Sequence, residues 1–400
     1  MAVVTTHVRA HGLVPRLQPF TSTIFAEMTA LAVAHGAVNL GQGFPDADGP
    51  PAMLEAARAA IADGLNQYPP GQGMGVLRQA VAADRAARYG QLLDPDGQVL
   101  ITVGATEAIS AAVLALVQAG EEVVLLEPYY DSYAAAVALA GATRRTVSLV
   151  ADGARFAVDL DSVRAAIGPR TRMLLVNSPH NPTGSVFTDD ELHGLASIAV
   201  ERDLLVVTDE VYEHLVFGDS AAGRHLPLAT LPGMAERTLS VSSAAKTFNA
   251  TGWKTGWVCG PAELVAAVQA AKQFMTFVGA APFQPAVAHA LDHEQGWVLG
   301  LRAELHRKRD KLSVALAEAG MRVHASEGTY FVCADPRPLG VTDAAALCRE
   351  LPARVGVAAV PVSAFCDHPE PWAHLLRFAF CKHDDVLAEG ARRLRGLSAG

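Results

Sequence analysis

Between about residues 98 and 260 the chain alternates short apolar runs with stretches of helical periodicity. The runs QVLITV (98–103), EEVVLLE (121–127), RMLLVN (172–177), DLLVVTDE (203–210) and RTLSVS (237–242) are brief, β-branched and apolar at consecutive positions. A strand covered on one face alternates apolar with polar residues, whereas a continuous apolar run needs cover on both faces, as in a parallel sheet flanked by helices. Between the runs lie amphipathic segments such as ATEAISAAVLALVQAG, read as a helix ending on Gly120. That alternation predicts an open α/β sheet. Further along, helices are expected over about 261–277, 296–319, 341–352 and 384–396, and strands at TYFVCAD and LLRFAFC. The pattern gives a large α/β domain over 46–285 with a mostly parallel sheet. A smaller α+β domain is expected from 1–45 plus 286–400. No internal repeat or low-complexity linker interrupts this organisation.

Half of the 400 residues are hydrophobic and 18% are charged, so the cores are expected to be large. No apolar run approaches the roughly 20 residues that span a bilayer. The start, MAVVTTHVRAHGLVPRLQPF, lacks a continuous apolar core followed by a small-residue cleavage site, so no signal peptide is expected and the reading is cytoplasmic. With a net charge of -9 and no basic arm, nucleic acid is not an expected partner. Any anionic ligand must be held by a few local basic groups. The five cysteines are scattered without CxxC spacing, which disfavours a zinc site or a disulfide framework.

The stretch SSAAKTFNATGWKTGW (242–257) then changes the picture. Lys246 and Lys254 stand among small residues with no acidic residue to pair with either. In open α/β sheets ligands bind beyond the carboxyl ends of the strands, and each expected strand end carries chemistry. Gly104-Ala105-Thr106-Glu107 opens a helix, whose free N–H groups suit a phosphate. EPYYDSY (127–133) brings Tyr129, Tyr130 and Tyr133; NSPHNPTG (177–184) brings Asn181. Asp209 and Tyr212 follow the fourth run, and Lys246 follows the fifth. One cofactor uses this whole set. Pyridoxal 5'-phosphate needs a lysine for its Schiff base, a carboxylate for its pyridine nitrogen, an aromatic face and donors for its phosphate.

The motifs VNLGQGFPD, NQY, TDEVYEH, KTFNATGWKTGW and GVAAVPVSAFC resemble the fold-type-I, class I aminotransferases. The likeness is to the kynurenine, glutamine and methionine aminotransferase branch. GATEAI, EPYYDSY, NSPHNPTG, SSAAK and CADPRPLG are most similar to N-succinyldiaminopimelate aminotransferases of actinobacteria. The resemblance implies that Lys246 forms the Schiff base and then carries the proton, and that Asp209 pairs with the pyridine nitrogen. It implies that Tyr212 and Asn181 bond the ring oxygen and that Tyr130 stacks on the ring. Ala105, Thr106, Ser243 and Lys254 would hold the phosphate. Tyr68 would reach the phosphate of a neighbouring subunit, which makes the expected state a homodimer with a shared active site. Arg377 would fork the substrate α-carboxylate, with Gly43 on the loop that closes over it and Phe25 lining the substrate pocket. The bonds before Pro128 and Pro182 can be cis in relatives.

The expected reaction moves an amino group from an amino acid to a 2-oxo acid, best matched by N-succinyl-LL-2,6-diaminopimelate and 2-oxoglutarate in lysine biosynthesis. The alternative is a broad-specificity kynurenine, glutamine or methionine aminotransferase, with β-lyase action on cysteine S-conjugates as a side activity. An aminotransferase-like transcription regulator would need a DNA-binding module that the sequence before the matching region does not supply. Other readings are blander. Asp209, Glu210 and His214 form one strand end without a second cluster, a poor metal site, so no metal is expected. Tyr129 and Tyr133 suit core packing, and GQGMG (71–75) follows NQYPP instead of an apolar strand, so it reads as a loop.

Overall fold

The computed structural model describes residues 12–397. Residues 1–11, most of the stretch read above for a leader, lie outside the described residues.

The five apolar runs are joined by Thr143–Ser148 and Gly256–Cys259, which the sequence reading did not single out as strands, in a seven-stranded sheet. In chain order its strands are β1 (Val99–Thr102), β2 (Glu122–Glu127), β3 (Thr143–Ser148), β4 (Thr171–Asn177), β5 (Leu205–Asp209), β6 (Thr238–Ser243) and β7 (Gly256–Cys259). Their spatial order is β1-β7-β6-β5-β4-β2-β3, and only β7 runs antiparallel to its neighbours. The two-face burial inferred from composition is visible within single strands. Val123 and Leu125 of β2 pack in one core with Ala108 and Ile109 of the helix Gly104–Leu116, while Val124 and Leu126 pack in another with Leu192 and Leu195.

The helices that serve the site are α1 (Ile24–His35), α2 (Pro51–Ala62), α3 (Gly75–Tyr89), α4 (Gly104–Leu116), α5 (Asp131–Leu139), α6 (Asp189–Glu201), α7 (Ala262–Lys272), α8 (Phe283–His293), α9 (Gln295–Glu318), α10 (Ala344–Arg354) and α11 (Asp384–Leu394). A second, antiparallel sheet orders β8 (Arg322–Val323), β9 (Phe331–Asp335), β11 (Leu376–Ala379) and β10 (Val360–Pro361). It shares a core with α9, α10 and α11 through Leu312, Leu316, Leu347, Leu351, Leu387 and Phe378. Among the described residues no helix is long and apolar enough to cross a membrane.

Three differences from the sequence reading have local causes. The helix expected to run to Gly120 stops at Leu116, because Val117 is already extended and Gly120 turns the chain at φ 86°. The helix expected to reach residue 277 ends at Lys272, whose Nζ donates to the carbonyl of Phe277 at 2.7 Å and folds the next residues back. Strand β7 and helix α8 carry no signal of their own. Four residues that overlap the end of the lysine stretch make β7, and α8 has Pro285 in its first turn, where a missing N–H costs nothing. The bonds before Pro128 and Pro182 are cis, as is the one before Pro179.

Candidate active site

The carboxyl ends of β1, β2, β4, β5 and β6 open on a cleft of about 350 Å³ that also takes Phe331 and Arg377 from the second sheet. Asp209 closes β5 and is buried. Its Oδ2 accepts a 2.6 Å hydrogen bond from the Tyr133 hydroxyl, and its Oδ1 accepts from the Val211 amide at 3.2 Å. Burial pushes its carboxyl above the ordinary range. Asn177, at the end of β4, donates to the Asp209 carbonyl at 2.9 Å and accepts the Asn181 amide at 2.8 Å, so one side chain fixes two strand ends.

Lys246 sits in the short turn Ala244–Thr247 that follows β6. Its Nζ lies 5.8 Å from the Tyr212 ring centre and 5.5 Å from that of Tyr330. Burial among these rings lowers the amine to about 8, well below the ordinary lysine value.

Arg377 is 0% exposed on β11. Its Nη1 donates to Asn181 Oδ1 and its Nη2 to the Gly41 carbonyl, both at 2.9 Å, while Nε has no partner. The rings of Phe331, Phe365 and Phe25 stand 4.0, 5.1 and 5.2 Å from the guanidinium carbon. Among the described residues no carboxylate forms an ion pair with Lys246, Lys254 or Arg377. A buried guanidinium without a carboxylate is costly unless a ligand completes it. Around one cleft the chain thus sets a buried guanidinium, a half-buried lysine and an exposed one, none of them paired with a carboxylate.

Two glycines make the geometry possible. A Cβ on Gly256 of β7 would lie 2.7 Å from the Gly104 carbonyl carbon, so the start of α4 can pack there only against glycine. A Cβ on Gly43 would strike the Phe331 ring at 2.5 Å; the Gly43 carbonyl instead accepts the Tyr330 hydroxyl at 2.6 Å. Helix α4 begins without a side-chain cap, leaving its first N–H groups facing the cleft at Ala105 and Thr106. Lys254, held at φ 52°, and Ser243 line the same end.

The sequence profile of the family described as aminotransferase class I and II matches residues 36–394. The chain belongs to that family. It is 60% identical over 393 residues to a probable N-succinyldiaminopimelate aminotransferase of Mycobacterium tuberculosis, covering 96% of this chain and 98% of the relative. The solved structure of N-succinyldiaminopimelate aminotransferase from that organism superimposes with a TM-score of 0.94 at 61% identity, over 96% of this chain and all of the other. A methionine aminotransferase of Escherichia coli is 38% identical over 96% of this chain and 97% of its own length. The chain is therefore an aminotransferase with the mostly parallel α/β architecture expected of it.

The aminotransferase cleft gathers all but one of the residues singled out in sequence: Phe25, Gly43, Ala105, Thr106, Tyr130, Asn181, Asp209, Tyr212, Ser243, Lys246, Lys254 and Arg377. The exception is Tyr68, which is 81% exposed and lies edge-on to Phe277 at 5.4 Å, outside its own chain's cleft. Asn177, Tyr330 and Phe331 were missed, because a strand-end amide and aromatic core residues look alike in sequence wherever they point. Tyr133 was read as packing and instead holds Asp209.

The neighbouring carboxylates serve another purpose. Glu210 and Glu213 converge with His225, but the fully buried Arg85 of α3 donates to Glu210 at 3.0 Å through both Nη atoms and to Glu213 at 3.3 Å. The guanidinium occupies the position a cation would take. His214 lies beside this cluster, about 4 Å from Asp84 and Glu213.

Proposed function

We propose that this aminotransferase holds pyridoxal 5'-phosphate in the cleft and uses N-succinyl-LL-2,6-diaminopimelate as amino donor and 2-oxoglutarate as acceptor. The observation that carries the cofactor is the donor set. A low-pKa amine, a buried carboxylate without a cation, and an uncapped helix start beside an unpaired ammonium match the aldehyde, ring nitrogen and phosphate of that one molecule. When bound, the cofactor supplies a carbonyl carbon for the amino group and a protonated ring that draws electrons from the substrate α-carbon.

The residues act around it. Asp209 holds a proton at the ring nitrogen, and Tyr130 offers an aromatic face. Asn181 and Tyr212 donate to the ring oxygen, while Ala105, Thr106, Ser243 and Lys254 hold the phosphate. Arg377 takes the substrate α-carboxylate, with its direction set by Asn181 and Gly41. Lys246 first supplies the neutral amine and then moves the proton at the substrate α-carbon. Gly43 lets its loop pack against Phe331 and accept the Tyr330 hydroxyl at the edge of the cleft.

The substrate pair rests on the 60% identity over nearly the whole chain. A broader methionine or kynurenine specificity draws support from the apolar wall made by Phe25, Phe44 and Phe331. We also propose a homodimer acting in the cytoplasm. Tyr68, Phe274, Met275 and Phe277 expose apolar surface that a second copy would cover, and the five cysteines are all free.

A single-turnover half-reaction tests the reading. Loss of the visible absorption of the loaded enzyme is followed with N-succinyl-diaminopimelate, glutamate, methionine, kynurenine and glutamine. Fast conversion by the first two alone is expected. Faster conversion by methionine or kynurenine would transfer the enzyme to the broad branch. Substantial turnover by Lys246→Ala would refute the mechanism.

A further inference from the structure

Tyr133 is the third residue of α5 and is 2% exposed. A buried tyrosine hydroxyl usually finds some partner, so burial alone says little. The partner here is specific: Asp209 Oδ2, at 2.6 Å. The titratable groups around that carboxylate are Lys246 from the turn after β6, Tyr212 just beyond β5, Tyr133 from α5 and Tyr130 directly before it, with Glu210 adjacent in the chain but turned away. Of these only Tyr133 donates a hydrogen bond to it. The other donor is a backbone amide at 3.2 Å, which no substitution of Val211 short of proline would remove.

We propose that Tyr133 is a positioning residue that keeps Asp209 ionised, so that the proton shared with the bound cofactor's ring nitrogen stays on the nitrogen. The inference rests on the reading that the cleft holds pyridoxal 5'-phosphate. One proton lies between an aromatic nitrogen and a carboxylate oxygen, and no further group gains or loses one. A phenol donating to the carboxylate stabilises its charged form and makes it the weaker base of the two. Burial works in the opposite sense, favouring O–H, and the hydroxyl of Tyr133 offsets it. The phenol itself is held far above its ordinary pKa by burial and by Asp209, so it remains a donor throughout the working range. The Tyr133 ring also meets Tyr130 edge-on at 5.8 Å, so one residue fixes both the carboxylate and the aromatic face.

Tyr133→Phe keeps the ring and removes only the donor. The loaded enzyme would be prepared with pyridoxal 5'-phosphate carrying nitrogen-15 in the ring, and its nitrogen resonance read at pH 7.5. The wild type is expected to show the protonated position. In the variant the resonance is expected to move toward the unprotonated position, with cofactor affinity about tenfold weaker, as loss of one hydrogen bond to a charged group implies. Placing 3,5-difluorotyrosine at 133, a stronger donor of nearly the same shape, must not move it that way. A resonance unchanged in Tyr133→Phe, even with weaker binding, would overturn the proposal and leave Tyr133 as packing. A wild type that binds no cofactor would instead overturn the reading beneath it.

Discussion

Asp209 and Glu210 are consecutive residues at the end of β5, both buried, and they face opposite sides of the chain into opposite electrostatic settings. Asp209 turns to the cleft, with one phenol, one amide and no cation on it; its carboxyl is pushed up by burial. Glu210 turns away and is saturated. Arg85 donates twice, and Thr208 and Ser240 donate at 2.7 and 3.1 Å to its other oxygen. Burial would raise Glu210 too, but Arg85 and His225 outweigh it and hold the carboxyl at about 2. The difference teaches how to tell a working carboxylate from a structural one. Glu210 is fully satisfied within the fold, whereas Asp209 is left without a cation, which is what the proposed cofactor site requires.

The largest expected contrast comes from removing each charge. Asp209→Asn is expected to lower kcat/KM by roughly a thousandfold, since a broken buried charge pair is worth about 3–5 kcal/mol. The cofactor-free protein should melt no lower than the wild type, because the substitution removes an uncompensated charge. Glu210→Gln should do the reverse. It leaves Arg85 with Glu213 as its one remaining carboxylate and is expected to cost about 1.5–3 kcal/mol of stability, the worth of a hydrogen bond to a charged group, while activity per folded molecule changes little. Melting curves and kinetics on the same samples check both. Equal loss of activity in the two variants would erase the distinction.

Acid should separate the two next. Glu210 titrates at about 2 in the folded chain against an ordinary 4.5, so its contribution is complete above 4.5 and is lost as pH falls toward 2. Asp209 is raised, so its term runs the other way, favouring the fold below the ordinary 3.8 and losing that contribution as pH rises through the folded value. Denaturant unfolding of the cofactor-free protein from pH 6 to pH 3 should therefore show a decline that Glu210→Gln flattens and Asp209→Asn steepens.

This comparison also marks what the sequence could tell. The β5 run and its terminal Asp209 were legible because a continuous apolar strand ending in a carboxylate is a strong local signal. So was Lys246, charged among small residues. Arg85 was invisible: AVAADRAARYG reads as an ordinary solvated helix face, and only the packing of α3 against the sheet turns its arginine inward. Tyr133 failed for the same reason, since a tyrosine on a buried helix face looks alike whether its hydroxyl meets a backbone carbonyl or a carboxylate of the cleft. Strand β7 was lost because four residues carry too little periodicity to separate them from the loop before. Pairings across the chain depend on which elements meet, and that is settled by the whole fold.

The finest probe of the same strand is Thr208→Val. Thr208 lies two residues before Glu210, on the same side, and its hydroxyl donates to Glu210 at 2.7 Å while receiving no role in the cleft. Valine keeps the branched shape and the strand preference, so packing is preserved and only the donor is lost. Arg85 and Ser240 still hold the carboxylate, which limits the damage. The expected cost is about 1 kcal/mol, the net worth of one hydrogen bond, with kcat and KM unchanged. A shift in either kinetic constant would mean that the structural side of β5 communicates with Asp209 through the strand, and that the two neighbouring carboxylates work as one unit.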